Sequence, residues 1–216
     1  DSKRNFRISL TDIMVDLIWT QLARYLSINA PNVDVFAVPF TIEGAADSLR
    51  KANVDLSIGL ISEHDTSIRS TWLFDGDYVC AMSKNHPLAE AGELDLDAFV
   101  NAKHLMVSLS GDTSGFTDQA LSKLGLKRRL AMTANHFSVV PSILSETDLI
   151  AVVPRIAVGN PAFSEKLALV EPPLVIESTS LYLAWHARHD NDPGMIWMRE
   201  LLTRIAQQAW GKCEHC

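Results

Sequence analysis

The chain has 216 residues, 47% of them apolar and 21% charged, enough for one large domain or two smaller ones with cores of their own. Its 26 acidic side chains against 19 lysines and arginines give a formal charge of -7, a sign that repels a phosphate backbone and argues against nucleic-acid binding by this chain itself. No apolar run nears the roughly 20 residues that span a bilayer, and the opening DSKRNFRISL lacks the apolar centre of a signal peptide. The expected setting is the cytoplasm, without membrane contact, although a mature exported protein would show the same composition.

FRISL at 6–10 alternates apolar and polar residues as a strand does. Thr11 and Asp12 then supply N-cap chemistry, and Val15, Ile18, Trp19, Leu22, Tyr25 and Leu26 recur at helical spacing. NAP at 29–31 stops that helix. VDVFAVP predicts a second strand, AADSLRKA a short helix and VDLSIGLI a third strand. Such close strand-helix-strand spacing predicts a parallel sheet with crossover helices.

STWLF and DYVCAM follow with only DG at the break, the pattern of a strand that kinks or passes from one sheet to another. The next elements are strand HLMVS, loop LSGDTSG, helix FTDQALSKL, turn GLKRR, strand LAMTA, helix FSVVPSILSE and strand LIAVV. LYLAW is a late strand. DPGMIWMRELLTRIAQQAW is a closing helix with Pro193 in its first turn and a buried stripe of Ile196, Trp197, Leu201 and Ile205. No internal repeat or low-complexity segment is visible.

In an open parallel sheet, ligands collect beyond the carboxyl ends of the strands, where helix N-termini and loop amides converge. The candidate rim is Thr11 and Asp12, Phe40 to Gly44, Ser110 to Gly115, Asn135 to Ser138, and Pro154 with Arg155. His136 could be a ligand donor, a general base or a capping-region residue. Phe137 could be a hydrophobic staple or a stacking platform. Capping alone would account for Thr11 and Asp12.

SGDTSGF reads G-x-x-S-G and is not a nucleophile elbow. There is no H-E-x-x-H, P-loop or G-x-G-x-x-G motif, and the scattered histidines give no metal-ligand spacing. No metal and no cofactor are expected. Cys80 reads as a buried thiol, and the terminal CEHC with Cys213 and Cys216 as a tail. Nothing assembles a nucleophile, a base and an orienting group, which favours binding over catalysis.

Several segments, in this order and spacing, resemble the effector-binding domain of LysR-type transcriptional regulators: FRISLTDI (6–13), VDLSIGL (54–60), LFDGDYVCAMSKNHP (73–87), GLKRRLAMTANHF (125–137), ETDLIAVVP (146–154) and LAWHARHDNDPGMIWMRELL (183–202). They look most like the branch that answers aromatic catabolites and plant nodulation signals.

The resemblance implies an α/β fold similar to type 2 periplasmic binding proteins, with two subdomains and a ligand cleft between them. The subdomains would be 1–75 with 178–216, and 76–177. The DNA contacts would lie in an N-terminal winged helix-turn-helix domain that this chain lacks. The implied partners are a small effector (an aromatic acid, phenol or flavonoid-like molecule), promoter DNA through the missing domain, and further copies in a homodimer or homotetramer. The implied ligand residues are Thr11, Asp12, Thr41, Ile42, Glu43, Gly76, Ser110, Gly111, Ser114, His136, Phe137 and Arg155. Asp75, Gly76 and Asp77 stand where relatives answering aromatic acids often carry basic residues, so an acid and a less charged aromatic both stay open. The competing readings are a solute receptor feeding a transporter and a dehydratase-like enzyme on the same fold.

Overall fold

The computed structural model describes residues 3–61, 66–91, 93–159, 161–163 and 165–213. The chain divides into two compact units, Asp1–Asp75 with Ser180–Cys216, and Gly76–Thr179.

The first unit contains β1 (Arg4–Leu10), α1 (Asp12–Asn29), β2 (Val33–Pro39), α2 (Ile42–Arg50), β3 (Leu56–Gly59) and β4 (Ile68–Gly76). The second contains β5 (Tyr78–Ser83), α3 (Leu96–Asn101), β6 (Lys103–Val107), α4 (Phe116–Lys123), β7 (Arg129–Ala134), α5 (Val140–Ser145), β8 (Leu149–Pro154) and β9 (Leu167–Val170). The chain then returns to the first unit through β10 (Thr179–His186) and α6 (Pro193–Cys213).

One sheet has the order β2-β1-β3-β10-β4 and the other β7-β6-β8-β5-β9. In each, three parallel strands joined by helices carry an antiparallel neighbour, β10 on β3 and β5 on β8. The two units therefore repeat one winding that their sequences do not repeat. The break at DG is where the chain leaves one sheet for the other.

In the first unit the core rests on long apolar stripes. Met14, Ile18, Leu22 and Leu26 repeat every four residues along α1 and are all buried. From α6 the buried face is Met195, Met198, Leu201, Leu202, Ile205, Ala206 and Ala209. Ile196 and Trp197, expected in that stripe, are only half-buried. Each fully buried Leu or Ile contributes about 1.5–3 kcal/mol.

Asp192 caps α6 by accepting from Gly194 N at 2.9 Å and Met195 N at 3.0 Å. Arg4 binds the same carboxylate through both Nη atoms, at 2.6 and 2.7 Å, and holds its pKa far below the usual carboxylate range. On the opposite face of the sheet, Gly59 has no side chain because the Phe40 ring occupies that space; a Cβ there would meet the ring at 2.4 Å.

The second unit has shorter helices and a different lock. Cys80, Met82, Phe99, Leu121 and Ile150 form its apolar centre, and burial pushes the Cys80 thiol up to about 12. Beside them Arg128, with 2% of its side chain exposed, grips Asp118 of α4 through Nε at 2.9 Å and Nη2 at 2.7 Å. Asp118 also accepts from Gly115 N at 2.9 Å, so one carboxylate fixes both the start of α4 and its seat.

The buried His104 ring is held from two sides. Nε2 lies 2.8 Å from the Phe99 carbonyl, which needs a donor, and Nδ1 lies 3.4 Å from Arg128 Nη1, which needs an acceptor. These partners fix the neutral tautomer with its proton on Nε2. Burial drives its pKa down to about 4; the hydrogen bond to Phe99 opposes that shift and the Arg128 charge adds to it.

Candidate functional site

The carboxyl edge of the first unit is made by β1 and β2, whose last residues, Leu10 and Pro39, pair in register. Thr11 and Thr41 follow these two strands and are the N-cap residues of α1 and α2. They serve their helices differently. The Thr41 hydroxyl accepts from Gly44 N at 3.2 Å, an ordinary cap. The Thr11 hydroxyl caps nothing, and its carbonyl instead accepts from Met14 N and Val15 N, both at 3.0 Å.

Capping thus explains Thr41 and leaves the Thr11 side chain without a structural task at the helix end. Asp12 stands in the first turn of α1, where the helix dipole favours a carboxylate. Ile42 and Glu43 open α2, and Ile42 is half-buried. Gly76 is the last residue of β4 and is buried.

The carboxyl edge of the second unit is made by β7, β6 and β8, adjacent and parallel. Ser108 extends the β6 ladder by one bond, its N–H reaching the Ala134 carbonyl at 2.8 Å. Beyond it the loop turns at Gly111, whose φ of +90° is a conformation side chains rarely adopt. Ser110 donates to the Asp112 carboxylate, and Ser110, Gly111 and Ser114 are exposed.

His136 and Phe137 follow β7 and are exposed and half-buried respectively. The helix expected to begin at Phe137 begins at Val140, and the Phe137 carbonyl accepts from Val140 N at 3.0 Å. His136 therefore sits in the strand-to-helix turn rather than at the helix N-terminus.

Arg155 follows β8 and is bound to two acids: Nε lies 2.9 Å from Asp77 Oδ2, and Nη2 lies 2.7 Å from Glu171 Oε1. The hydrogen bond it donates to Asp77, with help from the one to Glu171, raises the pKa of its guanidinium.

The structure thus brings Thr11, Asp12, Thr41, Ile42 and Glu43 to one edge, and Ser110, Gly111, Ser114, His136, Phe137 and Arg155 to another. Three features of the second edge escaped the sequence. The Arg155 partners Asp77 and Glu171 are far away in the chain. Ser108 is buried, with 8% exposed and a hydroxyl without a hydrogen-bond partner among the described residues. Its place at the end of HLMVS was the one signal available.

The first unit also carries an open groove of about 600 Å³ along α6. There Arg199 lies over the Trp185 ring at 4.2 Å, and none of the strand-end residues lines it. Among the described residues no cluster of His, Cys, Asp and Glu could hold a metal, and no helix is long and apolar enough to cross a membrane. Glu214, His215 and Cys216 of the terminal CEHC lie outside the described residues, and of Cys213 only its place at the end of α6 is described.

Two doubly wound α/β units, between which the chain passes twice and each with its polar residues at the carboxyl edge, define the class of the type 2 periplasmic-binding-protein fold. Residues 1–207 match the LysR substrate binding domain, and the chain belongs to that family.

It is 29% identical over 208 residues to the HTH-type transcriptional activator NagR of Ralstonia sp, covering 96% of this chain and 69% of that protein. It is 30% identical over 208 residues to Nodulation protein D 3 of Rhizobium leguminosarum bv. phaseoli, covering 95% and 68%. Among solved structures, the regulatory domain of MexT, a transcriptional activator in Pseudomonas aeruginosa, superposes with a TM-score of 0.81 at 26% identity, covering 94% of this chain and 98% of that one. The BenM effector binding domain with its effector benzoate shares the fold, with a TM-score of 0.73 at 15% identity over 98% of this chain and 94% of that one. The family is one of effector-binding transcriptional regulators and not of enzymes, so neither the dehydratase nor the transport receptor is this protein.

Proposed function

We propose that the chain senses a small aromatic effector through the polar residues of its two carboxyl edges and passes that signal to promoter DNA. The DNA is held by a winged helix-turn-helix domain elsewhere in the full protein, which works in the cytoplasm as a homodimer or homotetramer. The aromatic class rests on the likeness to NagR and on benzoate as the effector of BenM.

The observation that carries the reading is Thr11. It stands at the end of β1 in the capping position of an 18-residue helix, yet its hydroxyl caps no N–H of that helix. A polar group held there without a structural task is available for recognition. Thr41, Ser110, Gly111, Ser114, His136, Phe137, Arg155 and Gly76 complete the proposed contacts, each within its own unit, with Asp12, Ile42 and Glu43 flanking Thr11 and Thr41. The effector regulates by binding one conformational state of the protein more tightly than another.

Isothermal calorimetry with an effector found by thermal-shift screening tests this proposal. Thr11→Val and His136→Ala are each expected to weaken binding by about 1–3 kcal/mol, the usual cost of a lost buried polar contact. Unchanged affinity in both variants would remove these edges from the binding site.

A further inference from the structure

We infer, resting on the effector reading above, that the effector is an uncharged aromatic bearing a hydroxyl or carbonyl group, and that Ser108 rather than Arg155 fixes its polar end.

The first argument is charge. On the carboxyl edge of the second unit, the segments that follow β6 and β7, residues 108–115 and 135–139, contain no lysine or arginine. Among the described residues, Arg155 is the one such residue that follows a strand on this edge, and its Nε and Nη2 are committed to Asp77 at 2.9 Å and Glu171 at 2.7 Å. Two carboxylates against one guanidinium leave this group with a formal charge of -1, and Asp112 adds another negative charge on the loop beside it. A carboxylate ligand would meet net repulsion at this group. A neutral ligand meets no such barrier, and the Arg155 group then serves as a braced wall.

The second argument is independent of charge. Ser108 stands just past the carboxyl end of β6, the strand flanked by β7 and β8. Strand alternation puts it on the same side as His104 and Met106. That side meets the start of α4, since a Cβ on Gly115 would lie 3.5 Å from Met106 Sδ. The Ser108 hydroxyl is thus buried beside the 109–115 loop with no hydrogen-bond partner among the described residues. Buried hydroxyls in folded proteins nearly always have one. A hydroxyl both donates and accepts, so it can pair with a phenol or with a ketone, the polar groups of an uncharged aromatic.

The experiment is calorimetry on the whole chain with matched probes: benzoate against benzamide, 4-hydroxybenzoate against 4-hydroxybenzaldehyde, and a hydroxyflavone. The uncharged member of a pair is expected to bind at least about tenfold more tightly, and Ser108→Ala to weaken it by about tenfold, the ratio given by one ordinary hydrogen bond. Asp77→Asn with Glu171→Gln releases the guanidinium and is expected to narrow the gap between acid and neutral probes.

Equal or tighter binding of the acids overturns the inference and leaves the effector reading standing. Absence of binding by every probe overturns both. Uncharged probes that bind Ser108→Ala and wild type alike overturn the role of Ser108. Ser108→Cys, nearly isosteric and a weak hydrogen-bonder, repeats that arm should the alanine variant misfold.

Discussion

The two units wind their chains alike and fasten their helices differently. In the first, α1 has 18 residues and α6 has 21, long enough for apolar stripes to hold them by area alone. In the second, α4 has eight residues and α5 six, too few for a full stripe. There the seat of α4 is set by the Arg128–Asp118 pair, its arginine side chain buried and its carboxylate part-exposed, with His104 packed behind it. A short helix whose loop must present polar residues is thus located by directional bonds, while a long one is held by bulk.

The largest effects that test this contrast come from removing one lock in each unit. Arg128→Ala leaves Asp118 with Gly115 N alone and takes the donor from His104 Nδ1, and is expected to cost about 2–4 kcal/mol in urea unfolding. Leu22→Ala in α1 is expected to cost about 2–5 kcal/mol, through lost transfer energy and a cavity. Arg128→Met with Asp118→Leu sharpens the point. If the pair supplies location rather than net stability, this double variant recovers most of the loss while the 109–115 loop loses protection in hydrogen exchange.

Next in size is a pH effect confined to the second unit. His104 is neutral in the fold with a pKa of about 4, against 6.5 when unfolded. The unfolded chain therefore takes up a proton that the native state refuses. Its contribution is fully present above pH 6.5 and is lost as pH falls from 6.5 toward 4, about 3 kcal/mol in all. Burial pushes the Asp118 carboxyl up, but the bonds from Arg128 and Gly115 outweigh that and hold it below its ordinary value. Its contribution is lost in turn below about pH 4. Denaturant melts of wild type and His104→Gln between pH 7 and 4.5 test this, and equal slopes would show that His104 is not protonated on unfolding in that range.

The smallest effect compares two threonines in the same helical position. Thr41→Val loses a cap and is expected to cost about 1 kcal/mol in stability. Thr11→Val loses none and is expected to leave the unfolding midpoint in place. A matching drop in both would mean that Thr11 caps its helix in solution.

Much of this fold was legible because apolar periodicity alone marks α1, β1, β2 and β3, whereas α2 begins at Ile42, three residues before the expected AADSLRKA. The errors have local causes. The apolar FSVV extends the helical pattern upstream of α5, although Pro141 belongs in a first helical turn and so points to the start at Val140. β9 has four residues, LALV, too short to show a period. In α6 the large Trp197 ring suggests core, whereas Met195 and Met198 are the buried residues.

For the site, the strand ends were readable and the partners were not. Arg128 lies in a KRR run that looks like a solvated turn. Only the fold reveals that it is buried against Asp118, or that Arg155 is bound by Asp77 and Glu171. Charge pairs between distant positions leave no pattern in a single sequence.

Cys80 lies in β5, fully buried, with a thiol that stays protonated at neutral pH. Alkylating reagents attack thiolates, so in the native state this sulfur is both shielded and unreactive. With Cys213 and Cys216 replaced by serine, it would be the one thiol in the chain, and it belongs to the second unit alone. Its rate of alkylation would then count how often that unit opens, a clock that could be read with and without an effector while the first unit stays silent.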